Sequence, residues 1–186
     1  MPMEAKGVGV LSLQEYVKQK HTDQYEQWLE ALPPSARKVM GGRVLPSSWY
    51  SMREAMIAPM DVIVRTFHRG DTERARLVGR FGAEFALSGF YKLLVKVGTP
   101  GMLINRSAHY MSLYYRPSTI DVVKNTKGEA VIRISRWPEP SDTLEISMCG
   151  WVQCALEISG CKDVSVVRQG SIAWGDAQTD MALTWR

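Results

Sequence analysis

The sequence predicts an α+β domain in which N-terminal helices pack on a twisted antiparallel four-stranded sheet, with a C-terminal part running β-β-α-β-β. Three observations predict it. Up to about residue 116, apolar residues recur at helical spacing between proline and glycine breaks. Beyond Arg116-Pro117 the spacing changes to alternation, in two runs joined by "NTKG". Helical spacing then returns over 142–159, and two more alternating runs follow around Gly175-Asp176. Strands joined by hairpins pair antiparallel, and helices grouped apart from them cover one face. One domain over 1–186 follows, helical to about 116 and β-β-α-β-β from about 117.

In chain order, "KGVGVLS" reads as a short strand, and Ser12 three residues before Glu15 is the spacing of a reciprocal helix cap. The helix that follows offers Tyr16, Tyr25, Trp28, Leu29 and Leu32 for burial, with a break near His21-Thr22 and a stop at Pro33-Pro34. "GGRVLPSSWY" is a loop. Ser51 and Glu54 repeat the capping spacing before a helix over about 51–69, in which Pro59 predicts a kink or split. Asp71 or Thr72 caps a third helix, which carries Leu77, Phe81, Phe85 and Leu94 inward. Its small residues, Gly79, Gly82 and Ala83 among them, let another helix approach closely. Thr99-Pro100 opens a helix to about Tyr115. Gly128 then supplies the permissive turn position of a hairpin. Leu144, Met148, Trp151, Ala155 and Ile158 form the apolar stripe of the last helix.

An apolar share of 45% supports a core, and 23% charged residues is ordinary for a globular chain. The densest basic stretch, "RTFHRGDTERARLVGR", interleaves Asp71 and Glu73 with five arginines. That is the pattern of an ion-paired surface rather than a nucleic-acid groove, so no nucleic acid is expected. "MPMEAKGVGVLS" lacks an apolar core of signal-peptide length. No run approaches the ~18 apolar residues of a membrane span, and a cytoplasmic location is expected. Three cysteines, an odd number, suit a reducing compartment.

Motif chemistry is sparse. Cys149, Cys154 and Cys161 contain no CxxC, and on a helix 149 and 154 diverge because five residues advance about 500°. They read as small buried hydrophobes. The sequence has no G-x-S-x-G elbow, no HExxH, no Walker loop and no GxGxxG. The segment "NRSAHYMSLYYRPS" stands out, since Tyr110 and Tyr114 share a helix face beside His109. One reading is an aromatic stripe packed on the sheet; the other is the wall of a pocket in which His109 and the tyrosines orient a ligand. Trp49, Phe85, Tyr91 and Trp151 are further candidates for that wall.

The run from "MCGWVQCALEISG" to "AWGDAQTDMALTW" resembles the closing region of 4-vinyl-reductase-type ligand-binding domains, in its Cys-Gly-aromatic opening, Gly160 and the Gly175-Asp176 turn. The whole chain is similar to a family of small myxobacterial proteins of unknown function, related to the same superfamily. That superfamily includes haem nitric-oxide sensors, ligand-sensing domains of regulators and TRAPP-type vesicle-tethering subunits. The resemblance implies helices on a twisted antiparallel sheet, often dimeric, with a cavity between the layers in some members. Ser171 and Thr179 stand where relatives of the vinyl-reductase type place cysteines, and a hydroxyl is a poor substitute for a thiolate on a soft metal. The Tyr-x-Ser-x-Arg with which haem sensors hold propionates is matched only by Tyr110-Met111-Ser112-Leu113-Tyr114, without arginine.

The expected function is therefore a non-enzymatic cytoplasmic sensor or adaptor. It would bind a small, mostly apolar ligand, or a regulatory partner protein, and signal as a homodimer or through that partner. The ligand would meet His109, Tyr110, Tyr114, Trp151, Trp49, Phe85 and Tyr91. No metal and no cofactor are expected. The alternatives are a ligand-free scaffold resembling the tethering subunits, and a haem-based gas sensor using His68 or His109.

Overall fold

The computed structural model describes residues 2–87 and 100–186. The chain opens with strand β1 (Glu4–Lys6), helix α1 (Gly7–Lys20), α2 (Tyr25–Ala31), α3 (Pro34–Met40) and strand β2 (Trp49–Ser51). Next come α4 (Ala58–Phe67), α5 (Ala75–Ala86) and α6 (Pro100–Ser112). The C-terminal part is β3 (Tyr115–Arg116), β4 (Thr119–Thr126), β5 (Glu129–Ser135), α7 (Asp142–Ile158), β6 (Ser165–Gln169) and β7 (Thr179–Thr184). The α+β class holds, with two antiparallel sheets. The four longer strands run β4-β5-β7-β6, and a second, three-stranded sheet runs β2-β1-β3.

Of that smaller sheet the sequence signals only one strand, expected over "KGVGVLS"; it lies at Glu4–Lys6 instead and Gly7 onward is helix, because strands of two or three residues are too short to show alternation. The sheet ties the two ends of the helical part together. Ala5 faces Tyr50 on one side and Tyr115 on the other. Arg116 pairs with Glu4 at 2.7 Å, and the Lys6 ammonium and Arg116 guanidinium both lie over the Trp49 ring.

Helix α1 begins at Gly7, five residues before the expected cap. The free N–H groups of its first turn are taken by loop carbonyls instead: Gly7 N donates to Ser48 O at 2.8 Å and Val8 N to Pro46 O at 3.1 Å. A Cβ on Gly7 would lie 2.0 Å from Leu45 O, so only glycine admits that loop. Ser12 sits inside the helix and donates to Gly9 O. Helix α3 is a further addition; Pro34 occupies its first turn, where the absent N–H costs nothing. The split at Pro59 is present: a π-helical turn at Arg53–Ile57 precedes α4. Pro59 cannot bond back to residue 55, and the wider turn absorbs the missing donor.

The core lies between the helices and the inner face of the larger sheet, where Ala130, Ile132, Ile134, Val166, Met181 and Leu183 are buried. Helix α7 crosses α5 through facing glycines. A Cβ on Gly79 would meet Ser147 O at 1.8 Å, and one on Gly150 would meet Arg76 O at 2.2 Å. Phe81 is buried as expected, but Leu77 is exposed; Val78 takes the inward position, because the face turned to α7 is set by Gly79 and Ala75. Leu94 lies outside the described residues. Arg76 and Arg80 of the basic stretch pair with Glu73 and Glu157.

Candidate functional site

Helix α6 carries the candidate site on its polar face. Ile104 and Met111 are buried and fix the helix to the core. Asn125 of β4 clamps the first turns, donating to Gly101 O at 2.9 Å and to Asn105 Oδ1 at 3.0 Å. Asn105 and His109, four residues apart, project from one face. They form one wall of a groove of about 490 Å³, whose other wall is Ser118, Thr119, Ile120, Asp121 and Val122. This volume lies within the ~300–1,000 Å³ of small-molecule sites. Its lining combines Ile120 and Val122 with one imidazole, an amide, two hydroxyls and a carboxylate.

The other two histidines are elsewhere and face each other. His21 ends α1 and His68 ends α4. The His21 ring stacks on Phe67 at 3.9 Å between centroids, and its centroid is 6.1 Å from that of His68. Nε2 of His68 is hydrogen-bonded to the Tyr16 hydroxyl at 3.1 Å. Burial lowers both imidazole pKa values, and for His68 the neighbouring His21 and Arg74 add to the lowering, against a smaller opposite effect of Asp71. With Nε2 engaged and the ring buried, His68 is poorly placed as a ligand, and His109 lines the groove beside α6.

The remaining expected lining residues are dispersed. Trp49 stands in the small sheet under Lys6 and Arg116, Phe85 stacks with Phe81 on α5, and Trp151 lies on α7 beside Gly82. The Tyr114 side chain is exposed, and its carbonyl accepts from Lys6 N. The Tyr110 side chain and all of Tyr91 lie outside the described residues. Sequence reasoning missed Asn105, Asn125 and the β4 segment from Ser118 to Val122. A polar i,i+4 pair next to an otherwise ordinary hairpin gives no signal until the helix is seen lying on the strand. Beneath this region Tyr115 packs on Trp137, with ring centroids 5.1 Å apart, and burial pushes its phenol up to about 12.

All three thiols are buried, and burial pushes Cys149 and Cys154 up to about 11. Among the described residues no three histidine, cysteine, aspartate or glutamate side chains come together as a metal cage. No helix among them is long and apolar enough to cross a membrane. The Ser171 and Thr179 hydroxyls are buried in a polar network. Ser171 Oγ donates to Glu145 Oε2 at 2.6 Å, and Thr179 Oγ1 accepts from Ile172 N at 2.9 Å. Arg168 completes that network with Glu145 at 3.1 Å and Asp142 at 2.7 Å, its guanidinium 4.1 Å from the Trp174 ring.

No family model matches the chain, and no curated protein matches it. Solved structures share its fold over nearly its whole length. An H-NOX protein from S. oneidensis in the Fe(II)NO ligation state matches with a TM-score of 0.70 at 15% identity, covering 97% of this chain and 99% of that one. The Fe(II) unliganded H-NOX protein from K. algicida matches with a TM-score of 0.70 at 8% identity, over 97% and 96%. A mutant of T. Tengcongensis H-NOX gives 0.63 at 11%, over 97% of each chain. The expectation of a chain without a cofactor is corrected here: proteins of the same fold are described in iron ligation states. At such identities the likeness establishes an H-NOX-like fold.

Proposed function

We propose that the chain is a sensor domain that binds a haem, with His109 of α6 as the residue that would hold the iron. The observation that carries the reading is the position of His109. In a fold shared with proteins described in Fe(II) ligation states, His109 lines a groove beside α6. The donor set suits the group. One imidazole cannot cage a bare ion, and no metal cage is assembled among the described residues. A porphyrin brings four ring nitrogens of its own and asks the protein for one axial donor, which a neutral imidazole supplies. Ile120 and Val122 add apolar atoms to the groove lining.

When bound, haem supplies an iron at which a small gas molecule can be held. The chain's own residues bind and orient. His109 would contribute its ring nitrogen and Ile120 and Val122 would line one wall, while Asn125 fixes the helix that presents the imidazole. The departure from Tyr-x-Ser-x-Arg bears on the porphyrin's carboxylates rather than on the iron. It predicts weaker retention of haem, not a different axial donor.

The test is reconstitution of the purified chain with haem, followed by absorption. A Soret band at one haem per chain is expected for the natural sequence and for His68→Ala, and its loss or displacement for His109→Ala. An unchanged spectrum in His109→Ala, or no band in the natural chain, refutes the assignment.

A further inference from the structure

We propose that His21 and His68 form a proton-operated latch between the C-terminal ends of α1 and α4, shut while both imidazoles are neutral and released when they are protonated. The two residues cap the ends of the two helices: His21 N donates to Val17 O at 2.9 Å and His68 N to Val64 O at 3.1 Å. Their rings are the contact between those ends. His21 lies flat on Phe67, with an interplanar angle of 5°, and meets His68 edge-on. His68 Nε2 shares a hydrogen bond with Tyr16, which in turn packs edge-on against Phe81 of α5. One aromatic cluster thus joins α1, α4 and α5.

Charge is what this cluster cannot absorb. The charged groups facing it are Lys20 of α1, whose ammonium lies 5.9 Å from the Phe81 ring, and Arg74 and Asp71 of the turn before α5. Asp71 is already paired with Arg74 at 3.5 Å. Helix α5 contributes the apolar rings of Phe81 and Phe85. Protonating His68 makes both ring nitrogens donors, so in its bond with Nε2 the Tyr16 hydroxyl is then confined to accepting. A second proton on His21 places two cations within one cluster beside Lys20 and Arg74, so the two titrations are coupled. Opposing this, the helix C-terminal dipoles and the Phe67 face both favour a cation. Burial lowers the pKa of both rings.

The sign follows from proton binding. Both folded-state values lie below the ordinary histidine value, so the unfolded or opened state binds more protons as pH falls below it. The stabilisation from the cluster is complete above the ordinary value and is lost as pH falls through the folded-state values.

The test is amide hydrogen exchange of the full chain between about pH 8 and about pH 5, corrected for intrinsic rates, together with imidazole titration by NMR. Exchange near the ends of α1 and α4 is expected to rise about tenfold at the acid end while the amides of β5 and β7 stay protected. Both rings should titrate below the ordinary histidine value. His68→Gln, which keeps a polar partner for Tyr16 but cannot protonate, should lose most of the response, and the His21→Gln, His68→Gln double variant all of it. Two independent titrations at the ordinary value, or the same acid opening in His68→Gln, would overturn the latch.

Discussion

Replacing Gly79 by alanine tests the packing on which the whole layer arrangement depends. A Cβ there would stand 1.8 Å from Ser147 O, 2.7 Å from Ser147 C and 2.9 Å from Trp151 N. The first distance is about 1.6 Å short of the 3.4 Å at which ordinary contact begins. All three obstacles are backbone of α7, so no side chain can rotate away and the two helices must separate. Overpacking costs about 1–3 kcal/mol where side chains can adjust, and a backbone obstacle belongs at the upper end or beyond. Against it stands the intrinsic gain of alanine over glycine within a helix, about 1 kcal/mol. A net loss of about 2 kcal/mol or more follows, or a fall in melting temperature of about 4–8 °C at 2–4 °C per kcal/mol for a chain of this size. Gly82, one turn along the same helix, is the internal control. Its Cβ would meet Ser12 Oγ and Trp151 Cδ1 at 3.5 Å, ordinary contact, so alanine there should be neutral or stabilising by up to about 1 kcal/mol. Urea unfolding of the two variants measures the difference. Equal stability of Gly79→Ala and Gly82→Ala would refute the close crossing of α5 and α7.

Two further expectations concern buried polar and sulfur groups. Glu145→Ala leaves Arg168 its pairing with Asp142 but removes the acceptor of Ser171 Oγ and Ala173 N, so it should cost about 1–3 kcal/mol. The Glu145→Ala, Arg168→Met double variant should lose clearly less than the sum of the two single losses, and additive losses in chemical denaturation would show that the network is not coupled. Cys149 and Cys154, with pKa values pushed up to about 11, hold almost no thiolate at neutral pH. Alkylation followed by mass spectrometry should label them only at the rate of unfolding, and rapid modification of the folded chain would contradict their burial.

What the sequence disclosed depended on whether a local signal was tied to long-range structure. The hairpin at Gly128, the Pro59 split and the small residues of α5 were legible because each follows from one residue's own sterics. The start of α1 was not: its donors are satisfied by carbonyls some 40 residues away, at Pro46 and Ser48, and no local pattern encodes that. Leu77 fails for a related reason, since periodicity gives the apolar face of α5 only to within one residue and Gly79 sets its rotation. At the candidate site the sequence singled out His109 but surrounded it with aromatics from elements that do not meet. Trp49, Phe85 and Trp151 belong to different layers, whereas the actual neighbours, Asn105 and the Ser118–Val122 segment, are polar or ordinary strand residues.

The polar network around the last hairpin also bears on where a metal could sit. Ser171 and Thr179 are both fully enclosed, at 0% and 1% exposure. Each hydroxyl has a specific task. Ser171 is a donor at 2.6 Å to a carboxylate that also holds Arg168, and Thr179 is the acceptor for the N–H of Ile172. A thiol is too weak a donor and acceptor for either task and too large for so close a contact. The Asp176 carboxylate closes the same turn by accepting from Ser171 N at 2.7 Å. In this chain Ser171, Thr179 and Asp176 are therefore bound within the turn and to α7 rather than directed outward toward an ion. The ligand function proposed for the domain falls instead to α6 and β4, where an imidazole opens onto a groove and Asn125 holds the helix that carries it.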